Sequence, residues 1–193
     1  MTAQQKVFDF FNSQFPFHQE GLQEFTQAFQ SKQYRKGQIL KAAEDVENRL
    51  RFLESGTVRA FYAHEDKEMN TSFFVRPQFM TDFHAFMQAS SNNKYLECLT
   101  DVKLLEMRKP TFDQFMDSYS CGKDFVEQIF QRIIAEKEKE AFKHFSMTPD
   151  ELYLDLLQNR PDWFQHVPLY HIASYLRMTP ETLSRIRKRS KVS

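Results

Sequence analysis

The spacing of apolar positions changes twice along the chain, and each change predicts a change of architecture. Residues 4–15 place Val7, Phe8, Phe10, Phe11 and Phe15 at helical spacing, and Leu22, Phe25 and Phe29 resume it after a turn at Gly21. From residue 33 to about 105 the pattern breaks into short extended runs, at residues 38–41, 49–54, 57–62, 71–75 and 103–107. Gly37 and Gly56 fall at expected turns, and the polar stretch 64–68 reads as a hairpin connection. Several short strands at this spacing predict a small antiparallel barrel or sandwich. Helical spacing returns after Pro110. Residues 124–145 contain no Gly or Pro, which predicts one helix of roughly 33 Å at about 1.5 Å per residue. Val126, Ile129 and Ile133 form an apolar seam on its first half. That seam suits a partner helix, with the chain's own barrel as the alternative mate.

Thr148, Pro149 and Glu151 have the spacing of a capping box with proline in the first turn, so a new helix starts there, with Leu152, Leu156 and Leu157 as its expected buried face. The break near Ser146 divides the chain into residues 1–145, a β-rich unit with the long helix, and 146–193, a small helical unit. Within the second unit, Ala173 provides the small residue that two steeply crossing helices need where they touch. Ile172 and Leu176 complete the inward face of the first helix. Leu183 and Ile186 turn inward from the second, which Thr179 and Pro180 cap and open. These are the marks of a helix-turn-helix. Its outward face follows from the period: Glu181, Ser184, Arg185 and Lys188 share one side. Arg185 suits guanine O6 and N7, and Glu181 suits cytosine N4. Thr179, Thr182, Arg187 and Arg189 flank that face and suit phosphates. Arg177 stands in the turn where such motifs often have glycine, which implies strain if its φ is positive. A helical hairpin that only packs would explain the apolar positions, but not the basic outer face.

Charge sharpens this reading. The chain is formally neutral, yet residues 176–191 hold six basic side chains against the single acid Glu181, a local +5 that leaves −5 on the remainder. Such asymmetry fits a basic nucleic-acid-facing end on an acidic body, the alternative being a solvated basic tail. Two cysteines without a CxxC, no apolar run of 18 residues and no signal-like N-terminus predict a reduced, cytoplasmic protein with no membrane segment. No nucleophile elbow, zinc-protease, P-loop or dinucleotide motif occurs, so no catalytic residues are assigned. His166 and His171 lack a carboxylate at ligand spacing, and no metal site is expected. Cys98 reads as a core residue and Cys121 as a more exposed thiol.

The segments 172–176 (Ile-Ala-Ser-Tyr-Leu) and 179–188 (Thr-Pro-Glu-Thr-Leu-Ser-Arg-Ile-Arg-Lys) resemble the DNA-binding end of the Crp/Fnr superfamily of bacterial transcription regulators, particularly its Bacteroidetes-type members. Residues 34–37 and 56–62 are similar to strands of that family's cyclic-nucleotide-binding barrel. The resemblance implies an α+β fold: an antiparallel double-stranded β-helix sensor, a long dimerisation helix, and a C-terminal winged helix-turn-helix. It also implies a homodimer on a palindromic DNA site, base contacts by Glu181 and Arg185, and RNA polymerase as a further partner. In relatives that bind a cyclic nucleotide, glycine, glutamate and arginine grip the ribose and phosphate. Here Pro77 and Thr81 replace glycines, Asp82 keeps the acid, and Asn92 and Asn93 stand where an arginine and serine are expected. Arg76 and Lys94 are the nearest cations, and an ammonium is a poor substitute for a bidentate guanidinium. The expectation is a sensor fold without an ordinary cyclic nucleotide cofactor, set against a regulator that still responds through a substituted phosphate grip.

Overall fold

The computed structural model describes residues 2–14, 21–118 and 122–190. Two helices, α1 (Ala3–Gln14) and α2 (Leu22–Gln27), lead into eight strands: β1 (Gln30–Tyr34), β2 (Ile39–Lys41), β3 (Arg49–Ser55), β4 (Val58–His64), β5 (Lys67–Phe74), β6 (Gln78–Phe79), β7 (Lys94–Cys98) and β8 (Val102–Arg108). A short α3 (Phe83–Gln88) lies between β6 and β7. The strands form two four-stranded antiparallel sheets, ordered β1-β8-β3-β6 and β2-β7-β4-β5. The expected barrel is therefore two facing sheets that keep their edges, in jelly-roll fashion. The predicted hairpin at residues 64–68 is the β4–β5 turn, tight enough to put Glu65 at φ 52. Gly56 at φ 100 is required at the β3–β4 turn, because a Cβ there would lie 2.5 Å from the Asp101 carbonyl oxygen.

The abundant phenylalanine goes mostly into one place. Phe25, Phe29, Phe52, Phe83, Phe86 and Phe112 are buried together with Val7, Leu50, Leu105 and Met107, where α1, α2 and α4 (Lys109–Ser118) cover the outer face of the first sheet. Between the sheets a second cluster holds Leu53, Val58, Ala60, Met80, Leu96, Cys98, Val102 and Leu104. Burial pushes the Cys98 thiol up to about 11, so it is an inert packing group, as its apolar context predicts. Cys121 and Phe15 lie outside the described residues.

The long helix α5 runs Gly122–Ser146, slightly beyond the predicted span. Phe130 and Ile133 pack against the phenylalanine cluster, so this face of α5 meets the chain's own β-rich unit. The side chains of Val126 and Ile129 lie outside the described residues. On the other side Ile134, Phe142 and Phe145 are exposed, Phe145 by 88%.

Four helices complete the chain: α6 (Pro149–Asn159), α7 (Pro161–His166), α8 (Leu169–Tyr175) and α9 (Pro180–Ser190). The capping box at Thr148 is present in both directions, with the Glu151 carboxylate accepting from Thr148 N–H at 2.7 Å. Tyr153 and Leu156 form the buried face of α6, while Leu157 is exposed, because the helix packs on α7 and α9 rather than on the side expected. Among the described residues no strand follows β8.

Candidate nucleic-acid interface and effector pocket

The crossing of α8 and α9 follows from four apolar side chains. Ile172, Ala173, Leu183 and Ile186 are almost wholly buried, with Leu176, Trp163 and Val167 around them. The Thr179 hydroxyl accepts from the Thr182 N–H at 3.2 Å and opens α9. Arg177 closes the turn at φ 56, the left-handed case in which strain was expected.

With Leu183 and Ile186 inward, Glu181, Ser184, Arg185 and Lys188 project from α9 into solvent, and Thr179 is exposed beside them. Thr182 and Arg187 are half-buried at the flanks. Arg189 is exposed, and its guanidinium bonds both Asp150 carboxylate oxygens, at 2.7 and 2.9 Å, which fastens α9 to α6. A phosphate would have to compete with Asp150 for that group. The backbone N–H at its own position and the Thr179 hydroxyl hold the Glu181 carboxylate below the usual range, so it stays an acceptor.

The structure divides the five residues singled out for an effector. Asp82, Asn92 and Lys94 come together. Lys94 donates to Asp82 at 2.5 Å, and its backbone N–H donates to the Asn92 side chain at 3.0 Å. Asp82 also caps α3 by accepting from Ala85 N–H. Burial alone would raise the Asp82 carboxyl, but Lys94 outweighs it and holds the group below its ordinary range. Asn93 is exposed, and Arg76 is spent elsewhere, on Asp162 of α7 at 2.6 Å. Thr81 is a structural stitch, accepting from Arg51 N–H and donating to the Arg49 carbonyl.

Sequence reasoning missed the side chains that fill the space around this cluster. Lys41 is buried, and its ammonium donates to the carbonyls of Ala42 and Lys94 and to the Asn92 side chain, each at 3.0 Å. Arg51 forks onto Glu47 at 2.7 and 2.9 Å with both groups buried, and Glu106 is bound by Arg49 and by the Tyr34 hydroxyl. A lysine two residues before a loop and an alternating Arg-x-Arg carry no signal that distinguishes a buried charge from a solvated one.

Seen from the other sheet, the helical unit sits on β4 and β5. His171 of α8 is buried, with Nδ1 3.3 Å from both Arg59 Nη1 and Asn70 Nδ2. Trp163 packs edge-on against Phe73 of β5. His166 bonds the Asp162 carbonyl within α7, so neither histidine is placed as a ligand, and no cluster of metal-binding side chains occurs among the described residues. No described helix is long and apolar enough to cross a membrane.

Residues 31–119 match the cyclic nucleotide-binding domain family. No curated protein sequence matches the chain. Solved structures do. FixK2 from Bradyrhizobium japonicum superposes with a TM-score of 0.71 at 13% identity, covering 85% of each chain. The c-di-GMP-responsive global regulator CLP of Xanthomonas campestris gives 0.67 at 15% identity over 91% of this chain and 92% of that one. The catabolite activator protein of Thermus thermophilus gives 0.55 at 17% identity over 91% and 84%. Residues 31–119 thus match the cyclic nucleotide-binding domain family, and the chain has the fold of these solved structures.

Proposed function

We propose that this protein is a homodimeric, sequence-specific DNA-binding transcription regulator of the Crp/Fnr type, with a nucleotide pocket that no longer grips a cyclic nucleotide phosphate in the ordinary way. The observation that carries the proposal is the division of α9: Leu183 and Ile186 are buried while Glu181, Ser184, Arg185 and Lys188 form one exposed, polar face. A helix so presented fits the major groove, with Arg185 and Glu181 at base edges and Thr179, Thr182, Arg187, Lys188 and Arg189 at or beside phosphates. Residues 1–145 serve as the sensor and dimerisation unit and residues 146–193 as the reader.

Two copies meet along α5. Ile133 is engaged with its own chain, so the seam runs along the neighbouring face that carries Ile134, Ala141 and Phe145. In the pocket, Lys94 already has a carboxylate partner in Asp82, and the nearby Lys41 ammonium is taken up by the Ala42 and Lys94 carbonyls and the Asn92 side chain. A cyclic nucleotide should bind more weakly than about 100 μM, near −5.5 kcal/mol. Enrichment of bound DNA from a random pool tests the whole reading. The expected product is a palindrome with half-sites about one helical turn apart. Recovery of random sequence would overturn it.

A further inference from the structure

The contact between α8 and the β4–β5 hairpin has the chemistry of a latch. Arg59 is 6% exposed, and its guanidinium is shared among Glu97 of β7 at 2.6 Å, Glu68 of β5 at 2.5 Å and the Nδ1 of His171 at 3.3 Å. Its plane also covers the Phe61 ring. From the next strand Asn70 donates through Nδ2 to the same Nδ1 and, at 3.4 Å, to the His171 carbonyl. One turn along α8, Ser174 accepts from the Asn70 backbone N–H and donates to the Glu68 carbonyl, both at 3.1 Å.

Two obligate donors therefore converge on one ring nitrogen. Nδ1 must present a lone pair, and the ring proton resides on Nε2. The Asn70 Oδ1 is buried and has no hydrogen-bond partner, which leaves the docked state short of full satisfaction. Beside them Phe73 of β5 is buried in the apolar core of the helical unit, so the junction combines an apolar contact with specific, charged and incompletely satisfied ones, and it is the latter that a change of protonation or strand position can release.

We propose that Arg59 and Asn70 are positioning residues that latch the helix-turn-helix to the sensor through His171 and Ser174, and that release of this latch changes the orientation of α9. The inference rests on the reading of α9 as the DNA-contacting helix. Arg59 pairs in register with Glu97, and Tyr62 with Lys94, on adjacent strands β4 and β7. The latch thus shares a strand with the effector pocket, and a displacement of β7 reaches α8 through one side chain.

The charged and titratable groups around His171 set the direction of its pH response. Arg59 opposes imidazolium, Glu68 partly offsets it, Glu97 pairs with Arg59, and the Tyr170 ring lies at 4.0 Å. Burial first, and the Arg59 charge second, hold the imidazole down to about 4. The docked state therefore binds fewer protons than the undocked one. Its stability is complete above about pH 6.5 and weakens as pH falls, by up to about tenfold per unit, until about pH 4.

Trp163, the single tryptophan, reports docking because it lies 5.0 Å from Phe73 across the junction. In the full-length protein, acrylamide quenching of Trp163 should be low at pH 7.5 and rise between pH 6.5 and 4, with helical circular dichroism retained. His171→Asn places an amide oxygen near the Nδ1 position and does not titrate, so quenching should stay low throughout. His171→Phe, which takes the ring acceptor away from Arg59 and Asn70, should be quenchable already at pH 7.5. The milder Ser174→Ala should shift the wild-type transition to higher pH. A His171→Asn protein that titrates as wild type does, or His171→Phe and Ser174→Ala proteins that remain shielded like wild type, would overturn the latch. The readout needs no DNA, and Arg185→Ala should leave it unchanged. Loss of the latch signature and loss of the DNA reading are therefore separately visible.

Discussion

Asp82→Asn tests the pocket most sharply, because the structure gives two opposite consequences for one atom. The substitution removes the carboxylate charge but keeps an oxygen that can cap α3 in place of the bond now made to Ala85 N–H. What is lost is the bond to Lys94, between side chains only 15% and 17% exposed. A charge-assisted hydrogen bond in such a setting contributes about 1.5–3 kcal/mol. The variant should therefore unfold about 3–12 °C lower, at about 2–4 °C per kcal/mol for a chain of this size. The same energy now opposes any anion that would take Lys94, since the anion must displace Asp82 first. Freed of that competitor, Lys94 should bind cyclic AMP or cyclic GMP about 10- to 150-fold more tightly in the variant than in wild type. Thermal melts and calorimetric titration read the two effects independently. The stability loss also has a pH signature. Asp82 is held below its unfolded value, so its contribution is present above about pH 4 and is lost as pH falls through the folded value. A variant as stable as wild type, with no gain in nucleotide affinity, would refute the claim that Asp82 occupies Lys94. Low-micromolar nucleotide binding by wild type would refute the degenerate pocket itself and favour a substituted phosphate grip.

Three further outcomes follow from other parts of the molecule. Glu47→Leu leaves the buried Arg51 with the Leu40 carbonyl and, as its remaining carboxylate among the described residues, the more distant Glu106 at 3.4 Å, and should cost about 3 kcal/mol or more in denaturant unfolding, since it removes the close partner of a buried charge. Arg177→Gly relieves a left-handed residue, about 1–2 kcal/mol, against a glycine entropy penalty of about 0.5–1 kcal/mol; a net gain of up to about 1.5 kcal/mol is expected, and a clear loss would show that Arg177 makes compensating contacts. Ile134→Glu and Phe145→Glu alter exposed side chains, so the fold should persist while sedimentation shows monomer; an unchanged dimer would place the seam elsewhere.

The helix-turn-helix was readable from the sequence because every one of its determinants is local. Ala173, Leu183 and Ile186 occupy positions fixed by the helical period, and Thr179 caps α9 through a residue three positions away. At Arg177 the sequence marked where strain arises if φ is positive, and the structure has φ 56 there. The long helix was legible in extent but not in facing. Ile133 and Ile134 are adjacent in sequence, and periodicity alone cannot say which neighbour meets the β-rich unit. Strand β7 was passed over, since Lys-Tyr-Leu-Glu-Cys between polar residues has little alternation to show. Least legible were the long-range polar contacts. Arg76 with Asp162, Arg59 with His171 and Lys41 with Asn92 join residues 86, 112 and 51 positions apart, and each looks like an ordinary polar residue until the sheets bring the partners together.

The central claim is that α9 reads base sequence, and Arg185→Ala measured on an enriched DNA site and on random DNA at one salt concentration tests it directly. Arg185 is exposed on the face opposite Leu183 and Ile186, so its removal should leave the fold untouched. The loss on the enriched site should be about 1–3 kcal/mol, roughly 5- to 150-fold in affinity, with little change on random DNA and relaxed preference at a single base pair. An equal loss on both DNAs would contradict the account, because a phosphate contact weakens all sequences alike.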